Sequence, residues 1–160
     1  MPNWCENKVY VYGPTEDVDE FFNKCYDNVS RDFQMLEMHL PTPEPKVDES
    51  GKETSDWYGW RLDNWGCKWE VESPIEASEE GVFFDTPWSP PIEAFTRLSK
   101  DFPGVEFELA YCELGNWFAG VAVMQNGELI DSVAKEDEDI KQIARDIFDY
   151  VLEEDIEELV

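Results

Sequence analysis

The sequence is poor in positive charge. Twelve of its 160 residues are lysine or arginine against 38 aspartates and glutamates, which gives a formal net charge of −26 at pH 7. Nucleic acids and anionic membranes are bound through basic surfaces, so this composition argues against direct contact with either. A basic protein is the complementary partner. Solubility or a halophilic cytoplasm would also account for the acidity, although a small domain needs a net charge of only about 2–8 for solubility.

Histidine is almost absent, and the cysteines are scattered along the chain. His39 is the only histidine and has no nucleophile motif beside it, so a histidine-based catalytic triad is not expected. The four cysteines form neither a CxxC pair nor a cluster with His39, which argues against a structural zinc site. They are Cys5, Cys25, Cys67 and Cys112. We expect them to be reduced and mostly buried, in a protein without metal or cofactor.

The sequence shows no signal-peptide pattern and no apolar run of membrane-spanning length. It therefore predicts a cytoplasmic protein that does not enter a membrane. Pairs of carboxylates are unavoidable among 38 acids, so they do not indicate a glycosidase-like site. The run Glu136–Asp139 lacks the glycine turn and spaced ligands of a calcium loop, and such a run usually solvates a helix N-terminus. We expect no enzymatic activity and no catalytic residues.

The length of 160 residues predicts a single domain over residues 1–160. The predicted strands are Asn7–Tyr12, Phe33–Leu40, Trp65–Val71, Gly81–Trp88, Val105–Cys112, Trp117–Met124 and Glu128–Val133. The predicted helices are residues 15–26, 91–101, 137 to about 154, and a short helix from Trp57 that Asn64-Trp65-Gly66 stops. Asn126-Gly127 is the strongest hairpin signal. This order indicates an α+β fold with a ferredoxin-like, mainly antiparallel sheet, helices on one face, a C-terminal hairpin and an acidic helix.

Four of the seven tryptophans lie between Trp57 and Trp69. Ser55 or Asp56 is expected to cap a short helix there, and Gly66 to take a positive φ before the predicted strand. A buried aromatic side chain removes roughly 150–250 Å² from water, so one interpretation is a corner that builds the core. The other is a surface on which a base or sugar stacks. The candidate stacking residues are Trp57, Trp60, Trp65 and Trp88.

The last predicted helix carries carboxylates opposite its apolar face. Residues 131–160 contain 12 acids and 3 bases, hence a net charge of −9. On a helix these carboxylates are about 4.5–6 Å apart along the axis, against ~3.4 Å for phosphates along one DNA strand. Acids at a helix C-terminus are unfavourable by a few tenths of a kcal/mol, so solubility or partner binding must explain them. The candidate partner-binding residues are Asp139, Asp146, Asp149, Glu153 and Glu157.

Four ordered motifs give a resemblance to a known family. They are Pro2–Asn7, Trp60–Trp69, Thr86–Pro91 and Glu113–Gly120. Together they resemble the YubB ferredoxin-like domain family, which consists of phage- and plasmid-borne proteins of unknown function. The resemblance covers residues 2 to about 120 and leaves the acidic helix outside. It implies a ferredoxin-like fold and an origin on a mobile element in a bacterial host, and it implies no activity.

These observations lead to one main expectation about function. The chain is expected to be a non-enzymatic acidic phage or mobile-element protein that binds the basic surface of a host nucleic-acid-binding or defence protein. It would act there as a nucleic-acid mimic. Two alternatives stay open at this point. One is a small-ligand module that stacks a nucleotide or sugar on the tryptophans, and the other is a structural accessory protein of a phage.

Overall fold

A computed structural model describes residues 2–54, 56–76 and 81–158. Its strands are β1 (Trp4–Tyr12), β2 (Glu72–Glu76), β3 (Gly81–Pro87), β4 (Glu106–Glu113), β5 (Phe118–Gln125) and β6 (Glu128–Val133). Its helices are α1 (Thr15–Lys24), α2 (Met35–His39), α3 (Trp57–Asn64), α4 (Ile92–Asp101), α5 (Asp137–Phe148) and α6 (Glu153–Glu158). Asp56 caps α3 by accepting a hydrogen bond from the Gly59 N–H at 2.9 Å, whereas Ser55 lies outside the described residues.

The six strands form one antiparallel sheet in the order β2-β3-β1-β4-β5-β6. β1 lies inside the sheet, where it pairs with β3 on one side and with β4 on the other, and its Val9 and Val11 are both fully buried. The first four strands, with α1 and α4, form the βαββαβ unit of a ferredoxin-like fold. Asn126 and Gly127 both have positive φ and close the β5–β6 hairpin, which extends the sheet. The predicted fold class is therefore confirmed.

Helices cover both faces of the sheet. The main core lies between the sheet and the pair α1 and α4, as predicted for those two helices. Its buried phenylalanines are Phe21, Phe84, Phe95 and Phe107. On the opposite face, Ile140 and Ala144 of α5 pack against Cys112 and Ala119. All four cysteines are buried and unpaired, as expected.

The predicted strand Phe33–Leu40 is wrong, because Met35–His39 forms the short helix α2. The carboxylate of Glu70 accepts hydrogen bonds from the backbone N–H groups of Leu36 and Glu37 at 2.9 and 2.8 Å. These two donors belong to the first turn of α2, where they have no partner within the helix. Burial raises the pKa of Glu70, and its capping hydrogen bonds oppose that shift. A carboxylate more than thirty residues away thus selects helix over strand.

The predicted strand Trp65–Val71 is also wrong. The chain turns at Gly66, which has a φ of 81°, and strand pairing starts only at Glu72. The alternation predicted burial correctly for Trp65, Cys67 and Val71, but Trp69, on the same predicted face, is partly exposed. Apolar alternation in this segment therefore indicates contacts with the core and does not indicate a strand of the sheet.

The predicted C-terminal helix ends earlier than expected. α5 stops at Phe148, because Asp149 takes a left-handed conformation with a φ of 56°. Aspartate and asparagine tolerate this conformation better than most residues, so Asp149 can end the helix in place of glycine. A second helix, α6, then begins at Glu153. The acidic segment consequently has two axes instead of one.

Candidate interaction surfaces

Ion pairs hold the two C-terminal helices together. Arg145 bonds the Asp155 carboxylate at 3.0 Å, and Lys141 bonds Glu154 at 2.8 Å. These contacts raise the pKa of Lys141 and lower the pKa of Asp155. Both cations of the α5–α6 segment are therefore directed at acids within the segment.

The five candidate partner-binding carboxylates are all exposed. Asp139 and Asp146 lie on α5, Asp149 caps it, and Glu153 and Glu157 lie on α6. The prediction that they share one helical stripe is wrong, because the regular spacing ends at Asp149. Within the described part of the chain, none of the five forms an ion pair. They leave a net negative surface spread over two short helices.

The four candidate stacking tryptophans differ in burial. Trp65 is 0% exposed, and its indole N–H donates to the Leu40 carbonyl at 2.9 Å. Trp60 is partly buried and packs edge-on against Trp65, with 6.1 Å between ring centroids. Trp57 and Trp88 are 40% and 47% exposed. Trp65 therefore belongs to the core, where a ligand cannot stack on it, and the interpretation of a core-building corner is correct for this ring.

Cations of the chain itself occupy part of the remaining aromatic surface. The Arg61 guanidinium lies 5.0 Å from the Trp57 ring. The Lys68 ammonium lies between two rings, 5.3 Å from Tyr58 and 4.7 Å from Trp69. Exposed cation–π contacts of this kind contribute about 0.5–1 kcal/mol each. A base or sugar that stacked on these ring faces would have to displace the cations.

Three of the motifs that carry the family resemblance meet in one buried hydrogen-bond network. The side-chain amide of Asn7 donates to the Thr86 hydroxyl at 2.9 Å, and that hydroxyl donates to the Ser89 carbonyl at 2.7 Å. The Ser89 hydroxyl in turn donates to the carbonyl of Gly66. Asn7 and Thr86 are at most 1% exposed. The motifs therefore join β1, the turn after α3 and the end of β3, which is a structural role.

Asn7→Ala is expected to lower the free energy of unfolding by about 2 kcal/mol. The substitution removes the donor to Thr86 and to two backbone carbonyls in a region closed to water. Urea denaturation measures the effect as a lower midpoint at an unchanged slope. Asn23→Ala, at an exposed position of α1, is the matched control and should change stability by under ~0.5 kcal/mol. Equal urea midpoints for Asn7→Ala and the parent would show that the network does not stabilise the fold.

The structure brings His39 beside Cys25, a pairing that nothing in the sequence indicates. The His39 Nε2 lies 3.6 Å from the Cys25 Sγ and 3.0 Å from the Phe21 carbonyl oxygen. Burial raises the pKa of the Cys25 thiol and lowers the pKa of His39 to about 4. Cys25 is 0% exposed, so its thiol is protonated and closed to a substrate. This geometry is that of a core contact.

Other groups do not assemble a reactive centre within the described ranges. A cleft of about 620 Å³ lies between α1 and the β2–β3 hairpin. Its described lining includes Phe22 and Tyr26 with the carboxylates of Asp19 and Glu76, and it includes no basic side chain. Among the residues that the structure describes, no group of three or more His, Cys, Asp or Glu is placed to hold a metal ion. The exposed carboxylates of α5 and α6 remain the strongest candidate surface.

The described residues thus define an acidic α+β protein with a ferredoxin-like core extended by a hairpin. The family model described as "Ferredoxin-like domain in Api92-like protein" matches residues 64–154. Because this range is more than half of the chain, the protein belongs to that family. The matched range includes α5 and the start of α6, which the motif resemblance leaves outside.

One solved structure resembles the chain at low identity. It is the crystal structure of protein api92 from Yersinia pseudotuberculosis, with 22% sequence identity and a TM-score of 0.44. The match covers 52% of this chain and 31% of that chain. No curated protein matches the sequence. Within the described residues, no helix has both the length and the apolar character needed to cross a membrane.

Proposed function

We propose that this protein is a non-enzymatic interaction protein that binds the basic surface of a nucleic-acid-binding or defence protein. The proposed contact is the acidic surface, defined as Asp139, Asp146, Asp149, Glu153 and Glu157. One observation carries the proposal. The cations of this segment are paired with Glu154 and Asp155 at the contact between α5 and α6, while the five outward carboxylates have no cationic partner within the described residues.

The arrangement of the acidic surface supports binding at a nucleic-acid site. Ion pairs join α6 to α5, so the carboxylates extend over two short helices. Duplex DNA likewise presents its phosphates along two strands, and proteins contact it with clustered lysine and arginine side chains. An acidic surface of this kind competes for the same cations, with charge complementarity setting the encounter rate and the choice of partner.

The resemblance to the YubB domain family extends this proposal to the setting. Members of that family are carried by phages and plasmids, so the proposed place of action is the cytoplasm of a bacterial host. Nucleic-acid-binding proteins, including defence proteins that bind nucleic acid, carry basic surfaces that an acidic protein can contact in such a cell. The alternative of a stacking site for a nucleotide or sugar has weaker support, since Trp65 is buried and Arg61 and Lys68 occupy neighbouring rings.

Neutralising the acidic surface is expected to weaken partner binding by about 10-fold or more, because charge complementarity dominates the encounter. The variant combines Asp146→Asn, Asp149→Asn, Glu153→Gln and Glu157→Gln. All four positions are exposed, and asparagine tolerates the left-handed conformation at position 149, so the fold should be unchanged. Immobilised protein is used to capture partners from bacterial lysate at about 50 and 200 mM salt. Contacts between carboxylates and basic side chains should weaken as the salt concentration rises over this range, as phosphate contacts do.

A charge-matched control separates this surface from overall acidity. It carries Glu16→Gln, Glu20→Gln, Glu44→Gln and Glu49→Gln, four exposed positions away from α5 and α6. Captured proteins are identified by mass spectrometry and tested for displacement of duplex DNA by the parent chain. Support requires a DNA- or RNA-binding partner that is lost with the first variant and kept with the control. If both variants capture the same proteins equally well, the acidic surface does not bind the partner, and solubility is the role of these acids.

A further inference from the structure

The two edges of the sheet are built differently. Edge strand β2 carries Pro74, a positive φ of 50° at Ser73, and a register shift between Glu72 and Ile75. Prolines and bulges are devices that keep an edge strand from pairing with another chain. Edge strand β6 has no proline and pairs with β5 at every residue from 128 to 133 without a shift. All six of its residues are exposed, so the fold protects one edge and leaves the other open.

The hydrogen-bond pattern fixes which groups of β6 point outward. The Ala134 N–H donates to the Ala119 carbonyl at 2.9 Å, so these two residues form a hydrogen-bonded pair. Hydrogen-bonded and non-bonded pairs alternate along an antiparallel ladder. Leu129, Asp131 and Val133 therefore turn their N–H and C=O groups away from β5. Their repeat along the open edge is about 6.8 Å, which matches every second residue of an added strand.

The side chains of β6 offer apolar contacts around one charge. Leu129 and Val133 are 43% and 50% exposed and flank Asp131 on the sheet face that packs against α4. Ile130 is 69% exposed on the other face. An extended segment on this edge would therefore find apolar surface on both faces and one carboxylate between the apolar positions of the first face.

Asp131 is held in a fixed position. The Tyr111 hydroxyl donates to its carboxylate at 2.8 Å, after crossing β5 above Gly120. A Cβ at Gly120 would collide with the Tyr111 ring and hydroxyl, so glycine is needed for this crossing. The hydrogen bond orients the carboxylate without neutralising its charge. It also raises the pKa of Tyr111, in addition to the larger effect of burial.

We infer that β6 is a docking edge for an extended segment of a basic partner protein, which adds to the sheet as a seventh strand. The segment carries lysine or arginine opposite Asp131 and apolar residues opposite Leu129 and Val133. A second copy of the chain fits this edge poorly. Two-fold pairing centred on Asp131 would place two carboxylates opposite each other, and like charges in that position are destabilising. Each copy would also bring a net charge of −26.

The inference rests on the proposed function in one respect, which is the basic character of the partner. It uses a surface separate from the acidic residues of α5 and α6. It also adds backbone hydrogen bonds, which supply affinity in strand addition, whereas side-chain positions supply specificity. Charge attraction alone would not make affinity depend on backbone hydrogen bonds.

The test uses the peptide acetyl-Val-Thr-Lys-Val-Val-Lys-amide, whose residues oppose positions 133 to 128 in antiparallel order. Hydrogen exchange of the full-length protein is followed by NMR as the peptide is added. The amides of Leu129, Asp131 and Val133 should exchange at least ~10-fold more slowly at saturation, because each gains a hydrogen bond. The amides of Ile130 and Ser132 already bond to β5 and should change little.

Two N-methylated peptides separate strand addition from charge attraction. Methyl groups on the first, third and fifth residues remove the N–H groups that face β6, and binding should fall at least ~10-fold. Methyl groups on the second, fourth and sixth residues leave that edge intact, and binding should persist. Equal affinities of the two methylated peptides would overturn the inference, and so would the absence of peptide binding or of slower exchange.

Variants of the protein complete the test. Val133→Pro removes one outward N–H while the ladder to β5 remains, and it should abolish peptide binding with little change in melting temperature. Val133→Thr keeps the N–H and should bind like the parent. The variant with four neutralised residues in α5 and α6 should still bind the peptide. Failure of the lysate experiment would therefore count against the acidic surface alone, and failure of the peptide experiment against β6 alone.

Discussion

Trp65→Ala is expected to lower the free energy of unfolding by about 3–5 kcal/mol. The indole is 0% exposed and is the largest of the fully buried side chains. Its removal leaves a cavity beside Trp60 and takes the hydrogen bond from the Leu40 carbonyl. Both effects act in the same direction, because the cavity loses packing and the carbonyl loses its donor. Urea denaturation followed by circular dichroism measures the change.

Two further substitutions separate the contributions. Trp65→Phe keeps most of the apolar contact and lacks the N–H, so it should lower stability by about 1–3 kcal/mol. Trp88→Ala, at a 47% exposed position, should have a much smaller effect than Trp65→Ala. Trp69 is partly exposed, so its truncation should also be milder than the value predicted for a core ring. If Trp65→Ala unfolds at the parent's urea concentration, the ring is not part of the core.

The contribution of His39 to stability is expected to disappear on acidification. Burial lowers its pKa in the folded protein from 6.5 to about 4, since the ring stacks on Phe21 at 4.6 Å between centroids. Between these two pH values the unfolded chain binds a proton that the folded chain does not. Stability from this group is therefore complete above about pH 6.5 and is lost as the pH falls to 4. The loss is about 3 kcal/mol.

His39→Phe isolates this effect from the many carboxylates that titrate in the same range. Phenylalanine can stack on Phe21 but binds no proton, so the other groups contribute equally to both proteins. The stability advantage of the parent over the variant, measured by urea denaturation from pH 7 to pH 4, should shrink by about 3 kcal/mol. A difference that stays constant across this range would show that His39 is protonated as easily in the folded protein as in the unfolded chain.

The sequence predicts elements well where local signals and tertiary contacts agree. β1, α1, α4 and the β5–β6 hairpin have strong alternation, helical spacing or the Asn126-Gly127 turn, and all of them are present. The strand predicted in place of α2 is wrong, because that helix depends on the distant carboxylate of Glu70. The end of α5 depends on Asp149 adopting a left-handed conformation, which aspartate permits but does not require.

The candidate sites were likewise predicted from the sequence only where local signals determine them. The exposure of Asp139 and Asp146 follows from their position opposite the apolar stripe of α5, and the structure agrees. The distribution of the five candidate acids over two helices depends on the break at Asp149, and Arg145 then pairs with Asp155 of α6, a contact that no periodicity predicts. The open edge of β6 is not predicted by the sequence either. A strand pattern shows that a segment joins a sheet, but not whether it joins at the middle or at the edge.

Side-chain periodicity, turn chemistry and composition were enough to establish the α+β class, the presence of β1, the hairpin and the strong negative charge. These properties are local or additive, so they can be read along the chain. The contact of His39 with Cys25 and the network of Asn7, Thr86 and Ser89 came from the tertiary structure alone. These features depend on contacts between residues far apart in the chain. Such contacts form only when the whole sheet and its helices have closed around them.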